Sequence, residues 1–206
     1  DLDPESLREF LTITEGETYN AEEIEQSIEK LNFAVGQLGY AFVDIRPRVD
    51  RSREQQTINL VFQINEGPRV HIERINITGN IRTLDKVIRR EMRLVEGDAF
   101  NTAKLRRSRQ QIRRLGFFDK VDVAQKQGDT PDKAIIDVDV QERSTGELSF
   151  GVGVSTTETV VGDVSIRERN LLGKAQDLRL TLGLSAIRQQ LDLSFTEPYF
   201  LDRNLA

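Results

Sequence analysis

The 206-residue chain has no cysteine. Disulfides, thiolate metal sites and a cysteine nucleophile are therefore excluded, while the redox compartment stays open. Histidine occurs once, at His71, so a histidine-based triad or a multi-histidine metal centre would be hard to build. There is no excess of positive charge. The formal net charge is −5, which does not favour nucleic acid as a partner. No apolar run reaches the roughly 18 residues that a membrane-spanning helix needs. No signal peptide is recognisable, and the first residues, Asp1-Leu2-Asp3-Pro4, lack a methionine, which predicts a processed or excised piece. Charged residues make up 31% and apolar residues 37%, a balance that suits a solvated surface around modest cores. The length suits one large or two small domains.

What the chain does have is a repeat. EGETYNAEEIEQSIEKLNFAVGQLGYAFVDI, at residues 15–45, and EGDAFNTAKLRRSRQQIRRLGFFDKVDV, at 96–123, follow one order. Glu-Gly comes first, then an aromatic and Asn, a helical stretch, Leu-Gly-aromatic and Val-Asp. Internal repeats of this kind mark a recurring module. In the first copy Asp3 and Pro4 suit an N-cap and first helical position, with Leu7 and Leu11 giving a helix that fades near Thr14. Asn20 caps a second helix, and Glu23 completes a capping box. Ile24, Ile28, Leu31, Val35 and Leu38 fall on one helical face, and Gly39 stops the helix in the left-handed conformation. Strands are predicted at 42–49 and 58–64.

The second copy adds a strand at 70–78 in front. Thr83 is expected to cap a helix carrying Leu84, Val87, Ile88, Met92 and Val95, and Asn101 to cap one carrying Leu105, Ile112 and Leu115. Strands follow near 121–123 and 134–141. The order is β-α-α-β-β, and the first copy shows α-α-β-β, as though its leading strand were cut away. Each copy is expected to pack two helices on one face of a sheet.

After Arg143 helical spacing ends. Leu148, Phe150, Val152 and Val154 alternate with Ser149, Gly151 and Gly153. The same alternation returns near 160–167, 178–185 and 191–196, with connections at 155–159, 169–174 and 187–188. Four amphipathic strands in a meander result. A soluble antiparallel sheet buries the apolar side of such strands, and a transmembrane barrel turns it to lipid. The pattern alone ranks the soluble reading first, although strands of roughly 9 to 11 residues also suit a membrane crossing.

The motifs resemble the BamA family of outer-membrane β-barrel assembly factors of Gram-negative bacteria. The resemblance rests on Ile77-Thr78-Gly79-Asn80, Arg89-Arg90-Glu91-Met92, Glu96-Gly97, Leu115-Gly116-Phe117-Phe118 and Val140 to Arg143. Further along it rests on Thr145-Gly146, Phe150-Gly151-Val152-Gly153, Asn170-Leu171-Leu172-Gly173 and Glu197-Pro198-Tyr199-Phe200. It implies an α+β chain of tandem βααββ POTRA (polypeptide-transport-associated) domains followed by antiparallel transmembrane β-barrel strands, with the barrel incomplete. Residues 1–67 would be a POTRA domain lacking its first strand, 68–143 the membrane-proximal POTRA domain, and 144–206 the first four barrel strands. The implied setting is the outer membrane, with residues 1–143 in the periplasm. Unfolded outer-membrane proteins would be received there and inserted by strand pairing at the barrel seam, without enzymatic chemistry, cofactor or metal. Other POTRA-bearing barrels, TamA-like or two-partner secretion transporters, and a soluble POTRA-like peptide-binding module are the alternatives.

The resemblance also implies sites. Arg89, Arg90 and Glu96 would dock an accessory lipoprotein such as BamD. Asp119, Lys120, Val121, Asp122 and Val123 would form an exposed sheet edge that pairs with client strands. The seam strand would be Glu147, Leu148, Ser149, Phe150, Gly151, Val152, Gly153 and Val154, weakened by its glycines. The basic residues Lys104, Arg106, Arg107, Arg109, Arg113 and Arg114 read first as a solvated helix face and second as a surface for acidic partners or anionic headgroups. Phe117 and Phe118 read as core. Asp137 and Asp139 share a strand face opposite the apolar Ile136, Val138 and Val140, so they are expected outside the core and not as a catalytic pair. His71 reads as an ordinary strand residue. Four strands cannot close a barrel that needs about eight, so an isolated fragment is expected to self-associate through its open strand edges.

Overall fold

A computed structural model describes residues 3–65, 67–156 and 159–200. Asp1, Leu2, Glu66, Thr157, Glu158 and residues 201–206 lie outside the described residues, although the expected module limits and the 155–159 connection include them. Two compact units are present. One comprises residues 1–76, 92–110 and 123–138, the other residues 77–91, 111–122 and 139–206.

In the first unit, α1 (Pro4–Arg8) starts where the Asp3 carboxylate accepts the N–H groups of Glu5 and Ser6. It ends well before Thr14. The Thr12 amide donates to Ser27 Oγ at 3.0 Å and the Thr12 hydroxyl to the Glu23 carbonyl at 2.9 Å, so the chain is drawn across to α2 (Ala21–Gln37). The Asn20 side chain caps α2 through the Glu22 N–H, at 3.0 Å, and donates to the Glu23 carboxylate, at 3.1 Å. The predicted capping box is thus closed between side chains. Gly39, at φ 101°, takes the left-handed turn after α2. Leu7, Leu31, Ala34, Val35, Tyr40 and Ile45 form the core beneath a hairpin of β1 (Asp44–Ser52) and β2 (Thr57–Asn65).

A three-stranded sheet runs β3-β5-β4, from β3 (His71–Thr78), β4 (Phe118–Gln127) and β5 (Lys133–Glu142). Ile136, Val138 and Val140 are buried in β5 as expected, and so are Phe117 and Phe118. Helix α4 (Thr102–Arg114) is capped by Asn101, whose Oδ1 accepts the Lys104 N–H at 2.9 Å. Its buried positions are Leu105, Ser108 and Ile112. The same Asn101 donates through Nδ2 to the Gln37 carbonyl at the end of α2. Gly36 of α2 meets Thr102 so closely that a Cβ would collide with the threonine hydroxyl.

The predicted long helix after Thr83 is not formed. Helix α3 covers only Asp85–Arg89, and its N-cap position, Leu84, makes no side-chain cap bond. Val95, expected on the buried face, is 62% exposed. The reason is local competition. Asp98 accepts the Val95 N–H and returns its own N–H to the Val95 carbonyl, and Ser108 Oγ takes the Arg93 N–H at 2.8 Å. These bonds bend residues 93–98 into a turn where helix periodicity alone would have continued.

In the second unit, β6 (Gly146–Ser155), β7 (Thr159–Leu171), β8 (Gln176–Ser185) and β9 (Gln189–Thr196) form one antiparallel sheet in chain order, and it is not closed. Register places Leu148, Ile166, Leu180 and Leu193 in one row, and Phe150, Val164, Leu182 and Leu191 in another. Ser149, Ser165, Thr181 and Asp192 line up between them. Strand β7 runs to Leu171, further than predicted, and the turn at 172–175 carries positive φ at Leu172, Gly173 and Ala175.

Candidate functional site

Glu142 ends β5 with its side chain only 8% exposed. Its carboxylate accepts the backbone N–H groups of Arg82 at 2.9 Å and Thr83 at 2.6 Å. Burial pushes this carboxyl up, but bonds from the Thr83 hydroxyl and the two amides, with the Arg82 charge beside them, hold it below the usual glutamate range. The loop so fixed reaches the turn at 172–175. Asn170 Nδ2 donates to Thr83 Oγ1 at 2.9 Å, and the Leu84 N–H donates to the Gly173 carbonyl at 2.9 Å. Gly173 lies so close that a Cβ would collide with the Arg82 carbonyl. Asn170 Oδ1 accepts the Ala175 N–H, and Glu168 accepts both the Asn170 N–H and the Thr145 hydroxyl. A cleft of about 310 Å³ opens among these groups, lined by Arg82, Glu142, Arg143, Thr145, Glu168 and Asn170.

A second attachment lies at the end of α3. The Arg90 guanidinium stacks on the Tyr199 ring, 3.7 Å from its centroid, and the Tyr199 hydroxyl donates to Glu91 Oε1 at 3.3 Å. Glu197 accepts the Tyr199 N–H and a bond from Gln176, which hold its carboxyl below the usual range. Neither attachment was assigned from sequence. Asn170 and Tyr199 stand inside recognisable motifs, but their partners on the other side come from residues 83 and 90. Only three-dimensional folding brings those pairs together.

The expected seam strand is β6, at one end of its sheet. Its first turn of pairing is tied down by an ion pair from Arg169 to Glu147 at 3.1 Å and by Thr145 with Glu168. Along the strand, Phe150 is 73% and Val152 86% exposed, both on the apolar side. Gly151 faces Asp163 across the ladder, and a Cβ there would run into the Asp163 carboxylate. Gly153 has no heavy atom within 4 Å of its Cβ position.

The expected docking residues are distributed as follows. Arg89 is exposed and paired with Asp85 at 3.5 Å. Arg90 is turned onto Tyr199. Glu96 is exposed and accepts the Ile75 N–H at 3.1 Å. The expected client-pairing residues lie in β4, at one end of the β3-β5-β4 order. Asp119 and Lys120 are exposed, Val121 is buried, Asp122 and Val123 are half-buried, and Lys120 pairs with Asp122 at 2.8 Å. Of the basic helix, Arg106 stacks on Phe33 at 4.2 Å and Arg113 donates to the Val121 carbonyl. Asp137 binds Lys126 at 2.7 Å and Asn76 at 2.9 Å, and Asp139 binds Thr78. Both carboxylates are therefore held by structural partners. Hydrogen bonding to Lys126 and Asn76 keeps Asp137 below the usual range, which a proton-accepting pair near neutrality would not show.

Comparison with known proteins follows the same lines. The chain is 32% identical over 195 residues to the outer membrane protein assembly factor BamA of Neisseria meningitidis, covering 94% of this chain and 24% of that protein. It is 38% identical over 168 residues to the protein of that name from Nitratidesulfovibrio vulgaris, covering 82% of this chain and 21% of that protein. The chain thus spans about a quarter of the length of these curated relatives. The crystal structure of BamA from Haemophilus ducreyi lacking POTRA domains 1–3 superposes with a TM-score of 0.83 at 26% identity, over 99% of this chain and 39% of that one. A POTRA family model, described as surface antigen variable number repeat, matches residues 1–67 and 70–143. With both copies of its repeat matched, this chain belongs to the POTRA family.

Proposed function

We propose that the chain is part of an outer-membrane protein assembly factor. Residues 1–67 and 68–143 act as periplasmic POTRA modules that receive unfolded outer-membrane proteins, and residues 144–206 begin a barrel in the outer membrane. The observation that carries this reading is the exposed apolar side of the β6-β7-β8-β9 sheet. A soluble sandwich buries that side. Here Leu148, Phe150, Val152, Leu191 and Leu193 are all exposed, and strands of about ten residues reach across a bilayer core when tilted. The opposite side carries Glu147, Asp163, Arg167, Asp177 and Arg179, and Arg167 bonds Asp177 through Nε and Nη2. Polar groups on that side suit a wet lumen.

Clients add to the free edge of β6 by strand pairing, and Gly151 and Gly153 keep that edge weakly committed. In the full-length protein reconstituted in vesicles, Gly153→Val is expected to slow client insertion several-fold, because a β-branched residue strengthens the strand and meets no neighbour. Adding Gly151→Val forces Asp163 aside and should deepen the defect. Insertion at the unsubstituted rate by both variants would sink the seam reading.

An accessory lipoprotein docks on the face carrying Arg89 and Glu96, whose charges are exposed. Glu96→Lys is expected to reduce co-purification of that lipoprotein at least tenfold, well beyond what the loss of the Ile75 N–H acceptor does to stability, which a denaturant melt of the variant measures separately. An unchanged complex would return Glu96 to an ordinary surface role.

A further inference from the structure

Arg90 is half-buried, its side chain 17% exposed, whereas Arg89 beside it is open to solvent. Burying a guanidinium is costly unless something replaces its water. The replacement is the Tyr199 ring, 3.7 Å away, and a long ion pair of Arg90 Nε with Glu91 at 3.8 Å. Arg90 Nε is itself buried and donates no hydrogen bond, so its compensation comes from the aromatic face together with the nearby carboxylates of Glu91 and Glu197. Tyr199 is in turn fixed by its N–H to Glu197 and its hydroxyl to Glu91. The stack joins α3 to the segment just after β9. The other attachment, through Thr83, Leu84, Asn170 and Gly173, is built from directional hydrogen bonds and a close backbone approach.

We propose that Arg90 and Tyr199 are a positioning pair: their stack holds α3 to the end of β9, and its release leaves α3 tied to the sheet only through the 172–175 turn and the hydrogen-bonded chain link at 143–145. The two attachments differ in kind. The turn is held by the backbone bond from Leu84 to Gly173 as well as by the Asn170–Thr83 side-chain bond, and a side-chain competitor cannot displace the former. The stack rests on one aromatic side chain, and any partner offering an aromatic or a carboxylate to Arg90 displaces it. Docking through Arg90 and the closed stack therefore exclude each other. This inference rests on the assembly reading above, in which α3 lies on the face that meets an accessory protein.

The test uses the full-length protein in lipid vesicles, without client, and follows amide exchange at residues 87–91. Tyr199→Leu removes the ring face and is expected to raise exchange there about tenfold, the scale of a desolvated cation–π contact. Tyr199→Phe keeps the face, loses the 3.3 Å bond to Glu91, and should stay within about threefold of the parent. Arg90→Lys, which loses planar stacking, should fall between them. A spin-label distance from α3 to β9 should broaden in the same order. Exchange in Tyr199→Leu equal to the parent, or Tyr199→Phe behaving like Tyr199→Leu, would overturn the proposal. Because exchange is read without client, failure here leaves the seam experiment intact, and failure of the seam experiment leaves this stack intact.

Discussion

Gly79→Ala is expected to destabilise the chain by about 3 to 5 kcal/mol, against about 1 to 2 kcal/mol for Gly97→Ala. The two glycines adopt nearly the same backbone conformation, φ 85° and φ 91°. Both substitutions therefore pay the same penalty for a Cβ in the left-handed region. They differ in what the Cβ would meet. At Gly97 nothing lies within 4 Å, and at Gly79 the Cβ would collide with the backbone of Val140 in β5. That neighbour is main chain in a paired strand, so it cannot swing aside as a side chain would. Gly79 also begins the loop whose Arg82 and Thr83 amides bind Glu142, so strain there is transmitted to the turn at 172–175. Denaturant melts of the parent and both variants measure the difference. Equal losses at the two positions would show that β5 yields to the methyl group.

Glu142→Gln is expected to cost about 1 to 3 kcal/mol at neutral pH, because a buried amide oxygen replaces two accepting carboxylate oxygens and leaves one donor unmatched. The pH dependence has a definite sign. The Glu142 carboxyl sits below its ordinary value in the folded chain, despite a burial contribution in the opposite direction, owing to the Thr83 and Arg82 bonds. A depressed carboxyl contributes stability that is fully present above its unfolded value, near 4.3, and is lost as pH falls through the folded value. The parent should therefore loosen the 79–84 loop progressively below about pH 5. Asp132, Asp137 and Glu197 are also depressed and weaken the chain over the same range. The difference between parent and Glu142→Gln isolates Glu142. Protection of the Arg82 and Thr83 amides, taken relative to the intrinsic exchange rate at each pH, should fall steeply from pH 7 to 3 in the parent and stay flat and low in the variant. Parallel curves would remove Glu142 from the account.

The helix caps at Asp3, Asn20 and Asn101 were legible because an N-cap acts on amides two or three residues away. The turn at Gly39 was legible because a positive φ is a property of one residue. Alternation along β6 to β9 located four strands and their connections to within a few residues, since side chains in a strand alternate whatever covers them. Thr83 shows the limit. Its type and place suit a helix cap, yet its hydroxyl bonds Glu142 and accepts from Asn170, and α3 starts uncapped. A local partner and a distant one competed for the same group, and the distant one prevailed because its acceptor is buried and charged. Val95 misled for a related reason: the Asp98 turn and the Ser108 hydroxyl captured the amides a longer helix would have used.

The sequence by itself determined the repeated module, the class of each strand and helix, and the apolar side of the four-stranded sheet. All of these depend on periodicity or on neighbours a few residues apart. Only the tertiary structure decided what the polar side chains with distant partners do. Arg90 lies beside Arg89 in a motif that reads as one docking patch, but it is stacked on Tyr199 while Arg89 stays in water. Glu142 reads in sequence as a charge at a strand end inside a family motif, yet it holds the loop that meets the 172–175 turn. Each of these roles is set by a partner far away in the chain, and no local rule states which distant group will arrive.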